Sequence, residues 1–327
     1  MKYFPFIGVR ILKTAAAVFV SILVAQLCGL GSPVSAGLLA ILGVQVTKKK
    51  GLLNVYARIG ASVLSIIVGA ILLSTFGFHV WVLSIYVLLT FPIMNRLKFS
   101  DGIITGCVVM FHMFNAHVIT MEVIINELLL LLVGFGSATL INIIYMPPTD
   151  KELQQYKNKL EELFSLIFMK IGAHLRDQNM VWDGAELLQV NEVCDKGSML
   201  ARKAVENTLF FGSPASWELY FFMRSEQLEM INRMVDLVAQ VYQSVPHGEL
   251  LADIFDELSQ DVKSDYYVGR SEEDLATLAR SFKSLPLPQT REEFEVRSAL
   301  LQLIRELKSY LNIAKRQKNK KELMRSS

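Results

Sequence analysis

The 327-residue sequence predicts an all-α membrane protein: a six-span transmembrane helical domain followed by a cytoplasmic antiparallel helical bundle. Three observations predict it. Hydrophobic residues make up 52% of the chain and its mean hydropathy is positive, outside the habit of soluble domains. The apolar character stops at Pro147-Pro148: residues 1–146 hold nine Lys/Arg against three Asp/Glu, and residues 147–327 hold twenty-four against twenty-eight. Finally, the first part breaks into apolar runs of membrane-helix type, whereas the second shows helix-period stripes and no convincing strand. Residues 1–146 therefore form the expected membrane domain and 147–327 the expected cytoplasmic one.

The apolar runs are Ile11–Leu30, Val34–Val46, Ile59–Phe76, Val80–Met94, Ile103–Asn115 and Val123–Tyr145. The first carries one charge, Lys13, shows no convincing cleavage site and is followed by further apolar segments, so it is expected as a retained span rather than a signal peptide. The second would reach only about 20 Å at a helical rise, as a short span or a re-entrant piece. Positive charge decides. If all six cross with a cytoplasmic N-terminus, Lys2, Arg10, Lys13, Lys48–Lys50, Arg58, Arg96 and Lys98 all lie at the inner face, and the outer loops "GLGSP", "FGFH" and "NAHVITME" contain no Lys or Arg. That makes the protein a multi-pass membrane chain, with Ala116–Glu122 as an outer hairpin and the C-terminal domain on the cytoplasmic side.

The segment "MFHMFNAHVITMEVIINELLLLLVGFG" then poses the main chemical question. Asn115, His117 and Glu122 read as interfacial turn residues. His112 and Glu127 lie deeper, where a carboxylate is costly and must face the bundle or a wet cavity. They are the proton-coupling candidates, since an imidazole and a carboxylate shifted toward neutral pH can exchange protons during a cycle. As metal ligands, His112, His117, Glu122 and Glu127 match no familiar spacing, and no metal is expected. At the inner end, Lys13, Lys48, Lys49 and Arg58 can recruit an anion, and Gln45, Thr47 and Asn142 can hydrogen-bond to it within the membrane. Lys13 can equally snorkel to the surface, and the Lys48–Lys50 run can be a stop signal. Ala36/Ala40 and Gly134/Ala138 have the spacing of close helix approach.

Cys28, Cys107 and Cys194 are far apart and read as apolar filler. The near-neutral charge balance gives no argument for nucleic acid, and nucleotide loops, zinc motifs and nucleophile elbows are absent, so neither a cofactor nor an enzyme is expected. In the second part, helices are expected from Thr149 or Asp150, from Asp183 to about Phe211, from Ala215 to Tyr242, and around 248–264 and 271–285, with a last long helix after Thr290. Ser271 with Asp274, and Thr290 with Glu293, resemble capping boxes. The basic tail "KRQKNKKELMR" from Lys315 is a solvated helix end or a contact for anionic lipid.

"SPVSAGLLAILGVQVT" (Ser32–Thr47), "VGFGSATLINIIYMPP" (Val133–Pro148) and "YFFMRSEQLEMINRM" (Tyr220–Met234) resemble the second span, last span and cytoplasmic helix of the bacterial aromatic acid exporter family. The wider group resembles fusaric-acid-resistance membrane proteins. The chain departs at Val46, where many relatives have proline after the glutamine. The resemblance implies a homo-oligomeric exporter of small organic anions, aromatic carboxylic acids in particular. Two other expectations stand beside it: a non-transporting membrane scaffold or sensor acting through the helical domain, and an uncoupled anion channel.

Overall fold

The computed structural model describes residues 8–145, 149–208, 215–243, 245–264 and 270–325. The Pro147-Pro148 boundary, Lys2, Phe211 and the side chains of the tail after Lys315 lie outside that description. Among the described residues there are helices and no strands, gathered into two units.

The first unit contains α1 (Val9–Leu27), α2 (Pro33–Gly43), α3 (Lys48–Phe76), α4 (Val80–Arg96), a single 3-10 turn at Ser100–Gly102, α5 (Ile103–Asn115) and α6 (Met121–Ile144). Each apolar run thus contributes a helix. By length and composition, α1, α3 and α6 alone among the described residues are fit to cross a membrane. The helix α2 has 11 residues rather than the expected run to Val46, because it stops at Gly43 and the chain is non-helical until Thr47 caps α3. Pro33 at its first turn and the left-handed Ser32 (φ 58°) set where α2 begins.

Glycines sort these helices into two halves. In the first, α1, α2 and α6 pack chiefly on one another. A Cβ on Gly134 of α6 would lie 2.6 Å from Leu39 Cβ and 2.8 Å from the Ala36 carbonyl, and one on Gly43 2.8 Å from Ala138 Cβ. The small-residue spacing seen in the sequence is therefore a true α2–α6 contact. In the second half, α3 packs on α5 and α4. There, a Cβ on Gly102 would meet Ala61 Cβ at 2.4 Å and the Ala57 carbonyl at 2.6 Å, and one on Gly106 would meet Ser65 Oγ at 2.4 Å. The Ser65 hydroxyl bonds Tyr86 (2.6 Å), tying α3 to α4. Contacts this close exist only where no side chain intervenes, so each half is rigidly assembled.

The second unit contains α7 (Asp150–Arg176), α8 (Ala185–Asn207), α9 (Ala215–Val238), α10 (Pro246–Asp261), α11 (Arg270–Lys283) and α12 (Arg291–Arg325). The pairs α7/α10 and α9/α12 supply its main contacts, around Phe164, Phe168, Phe221, Phe255 and Leu300. At the last helix, Thr290 Oγ1 accepts from the Glu293 N–H (3.1 Å), as the capping pattern predicts. At α11 the expectation fails: the helix begins at Arg270, and Ser271 lies inside it, its hydroxyl donating to Asp261 (3.3 Å).

Within this apolar core sits a polar group of residues that sequence patterning missed. The Arg224 guanidinium donates to Tyr220 (3.1 Å), Gln227 (3.0 Å) and Glu161 (3.1 Å), and the Tyr220 hydroxyl donates to Glu161 (3.0 Å). Burial beside this group pushes the Tyr310 phenol up to about 12 from an ordinary value of 10.0, and Tyr220 is also pushed up, mainly by desolvation. Unfolded, both phenols lose their protons first. Their contribution to stability is complete below about pH 10 and is lost as pH rises through about 12. Alkaline titration of the full chain, followed by tyrosinate absorbance and circular dichroism, should show the second unit losing stability in that window. Tyr310→Phe should make the decline shallower, and an unchanged slope would rule this phenol out as its source.

Candidate functional site

At one end of the first unit, α5 returns into α6 through a short hairpin. His117 takes a left-handed conformation (φ 52°) to make the turn, and its ring packs against Phe78 and Phe114 at 5.5 and 6.1 Å. Thr120 caps α6 by accepting from the Val123 N–H (3.4 Å), and Glu122 in the first turn suits the positive end of the helix. Of the three residues expected in the turn, His117 lies in it, whereas Asn115 ends α5 and Glu122 stands inside α6.

One turn inward on α5, His112 faces Glu127 of α6. Its Nδ1 lies 3.0 and 3.2 Å from the two carboxylate oxygens, and its Nε2 lies 3.1 Å from the Ser35 hydroxyl of α2. Glu127 is only 5% exposed, and His112 is half-buried. With the carboxylate ionised, Nδ1 must carry a proton to donate, so a neutral His112 offers Nε2 as acceptor and Ser35 donates. The result is a hydroxyl–imidazole–carboxylate chain that can hold a proton at either nitrogen. Among the described residues no group of three His, Cys, Asp or Glu converges as metal ligands do.

Asn126 stands beside this chain. Its Oδ1 accepts from the Gly31 N–H (2.7 Å) and its Nδ2 donates to the Gly31 carbonyl (3.3 Å), which fixes the turn leading into α2. Sixteen positions along α6, Asn142 repeats the device. Its amide nitrogen donates to the Gln45 carbonyl and its oxygen accepts from the Gln45 N–H, both at 3.1 Å. Two asparagines of one helix thus strap α2 at both ends. The break after α2 forms without a proline at Val46 because Asn142 satisfies the backbone groups that the interrupted helix leaves open. Asn142→Ala should leave those two groups unpaired at a cost of about 1–3 kcal/mol, read as a lower unfolding temperature and faster amide exchange at residues 44–47. Unaltered exchange there would show that the strap is not what holds the break.

The candidates expected at the inner end do not share one setting. Lys13 is 5% exposed and close enough to the half-buried Lys48 for their charges to repel. Thr47 is buried and accepts from the Lys50 N–H (3.4 Å), whereas Lys49 is exposed. Gln45 and Asn142 meet through the Gln45 backbone, and a Cβ on Gly51 would fall 2.8 Å from the Asn142 amide. Arg58 lies apart from these. It is 8% exposed, with Nε donating to Asn54 (2.6 Å) and Nη1 to Thr105 (2.9 Å), and so joins α3 to α5. Ser35 is the residue of the Ser35–His112–Glu127 chain that sequence reasoning passed over.

The chain is similar to known proteins over most of its length. Residues 5–146 match the sequence profile of aromatic acid exporter family member 1, and residues 150–315 match the profile of the aromatic acid exporter C-terminal domain. The chain is 33% identical over 307 residues to the uncharacterized protein YqjA of Bacillus subtilis (strain 168), covering 94% of this chain and 95% of that protein. A crystal structure of a membrane protein from Clostridium difficile 630 is 21% identical, with a TM-score of 0.45 over 50% of this chain and 98% of that one.

Proposed function

Since the chain belongs to the aromatic acid exporter family, we propose that it carries small organic anions, aromatic carboxylates above all, out across the bacterial cytoplasmic membrane in exchange for protons. The observation that carries this reading is the Ser35–His112–Glu127 chain, a half-buried imidazole on a buried carboxylate among apolar helices. In lipid such a pair is costly, and proton movement is what repays its retention. All six helices α1–α6 cross in this reading, with the N-terminus and second unit cytoplasmic, because that arrangement puts every basic residue of the first 146 at the inner face. Lys13 and Lys48 then form a cationic inner mouth for the substrate carboxylate. Thr47, Gln45, Asn142, Lys49 and Arg58 are the further candidates there. The short α2 and α5 are compatible with burial inside a homo-oligomer.

The order hydroxyl, imidazole, carboxylate is also that of an acyl-transfer triad. Such a site needs N–H donors beside the nucleophile to receive an oxyanion. The Ser35 N–H is already held by the Ser32 carbonyl (2.9 Å), which favours proton transfer over acyl transfer.

The test is uptake of labelled 4-hydroxybenzoate into inverted membrane vesicles under an imposed proton gradient, against vesicles lacking the protein. Protein-dependent uptake that collapses with the gradient is expected. Uptake equal to empty vesicles across a panel of organic anions would leave the scaffold reading, in which the second unit recruits partners, as the better account. Ionic current without a proton requirement would point to a channel.

A further inference from the structure

The two halves of the first unit are each locked internally, α1–α2–α6 by Gly37, Gly43 and Gly134, and α3–α4–α5 by Gly102 and Gly106. Apolar side chains of both halves share one core across the seam between them, and a Cβ on Gly51 of α3 would fall 2.8 Å from the Asn142 amide of α6. The helices α5 and α6 meet over a short stretch, as do α2 and α3, and α3 with α6 makes the broadest contact across it. The chain crosses the seam through the Val44–Thr47 link at one end and the Ala116–Thr120 hairpin at the other. The straps of Asn126 and Asn142 hold α2 to its own half. Across the seam at the hairpin end, His112 of α5 bonds both Ser35 of α2 and Glu127 of α6. One imidazole therefore joins one rigid half to two helices of the other.

Resting on the exporter reading, we infer that Ser35, His112 and Glu127 form a proton-operated latch across this seam, with the two short links as its pivots. A proton arriving at His112 Nε2 gives an imidazolium facing the Glu127 carboxylate, an ion pair that holds the seam closed. Transfer of the Nδ1 proton to a Glu127 oxygen breaks the N–H bond, forms an O–H bond and leaves both groups neutral. His112 is then the opposite tautomer: Nε2–H, a donor to Ser35 since the proton arrived, remains one, and the charge assistance between Nδ1 and the carboxylate is gone. The seam is free to open at α2–α5, where no covalent link restrains it. Glu127, from α6, is the charged group acting on His112, while α2 presents the uncharged Ser35 hydroxyl. Ser35 is a positioning residue in this device: its hydroxyl turns from donor to acceptor when Nε2 takes up the proton.

The experiment measures distances between spin labels on exposed residues of the full chain in lipid nanodiscs, with Cys28, Cys107 and Cys194 replaced. Leu27→Cys with Val80→Cys spans the seam from α1 to α4, and Leu27→Cys with Met121→Cys stays within one half; all three positions are well exposed. Glu127→Gln, a neutral mimic of the protonated carboxylate, should add a second, longer population to the Leu27–Val80 distance and leave Leu27–Met121 unchanged. Ser35→Ala should give the same pattern more weakly, and Ser35→Thr, which keeps the hydroxyl, should restore a single population. No change in Leu27–Val80 would overturn the latch, and so would an equal change in both pairs, which would signal loosening of a half. A seam that opens in Glu127→Gln while vesicle export stays intact would preserve the latch and remove proton-coupled export, so the two readings fail separately.

Discussion

Glu127→Gln is expected to abolish gradient-driven export while the protein remains folded and inserted. The substitution keeps the shape and both polar atoms of the side chain, and it removes a charge from a site only 5% exposed. Relief of desolvation offsets much of the lost hydrogen bond to His112, so the stability change should stay within about 1–2 kcal/mol. Function is another matter, because an amide cannot accept and release a proton at any physiological pH. Uptake of labelled 4-hydroxybenzoate into inverted vesicles should fall to the level of empty vesicles, with expression and gel-filtration behaviour unchanged. His112→Asn should give the same loss by removing the other half of the pair. Export at the wild-type rate in Glu127→Gln would take this carboxylate out of the mechanism.

The largest effect on stability is expected at Arg224, in the second unit. Its guanidinium is 3% exposed and holds Tyr220, Gln227 and Glu161 together. It also lies over the rings of Phe164 and Tyr220, 5.5 and 5.1 Å from their centroids. Arg224→Ala would leave Glu161, in a nearly dry setting, with the Tyr220 hydroxyl and the more distant Lys157, at 3.8 Å, as its partners among the described residues. Breaking one partner of a buried pair costs about 3–5 kcal/mol. The unfolding temperature of the second unit should drop sharply, while Arg224→Met with Glu161→Gln should lose much less than the sum of the two single changes. Additive losses would mean that the residues do not act as one group. The Gln227 Nε2, buried with no partner among the described residues, shows that the group already carries one unmet donor.

Much of this molecule is legible in the order of its residues. The apolar runs foretell α1 to α6, and the stripe from Leu153 to Leu175 foretells α7, because burial of a helix face imposes a period that composition cannot hide. The Thr290–Glu293 cap was readable for the same local reason. Helix ends were less readable. Nothing in "ILGVQVTKKK" dictates that α2 stops at Gly43, since Val44 and Val46 are as apolar as what precedes them and a glutamine does not end a helix. The stop is decided by Asn142, nearly a hundred residues away, whose amide replaces the missing helical bonds of Gln45.

The site divides in the same way. Sequence alone marks His112 and Glu127, because charged or titratable groups inside apolar runs are costly and stand out. It cannot say that they meet at 3.0 Å, nor that Ser35 completes the chain. A serine near a helix start is unremarkable until the fold brings it to an imidazole. Arg224 and Glu161 were likewise invisible as a pair, since on their own helices each reads as an ordinary polar position. Local pattern determined the helices, their apolar faces and the groups out of place in them. Tertiary structure alone decided which of those groups are partners, because a hydrogen bond depends on positions fixed by the packing of distant helices and leaves no period in the sequence.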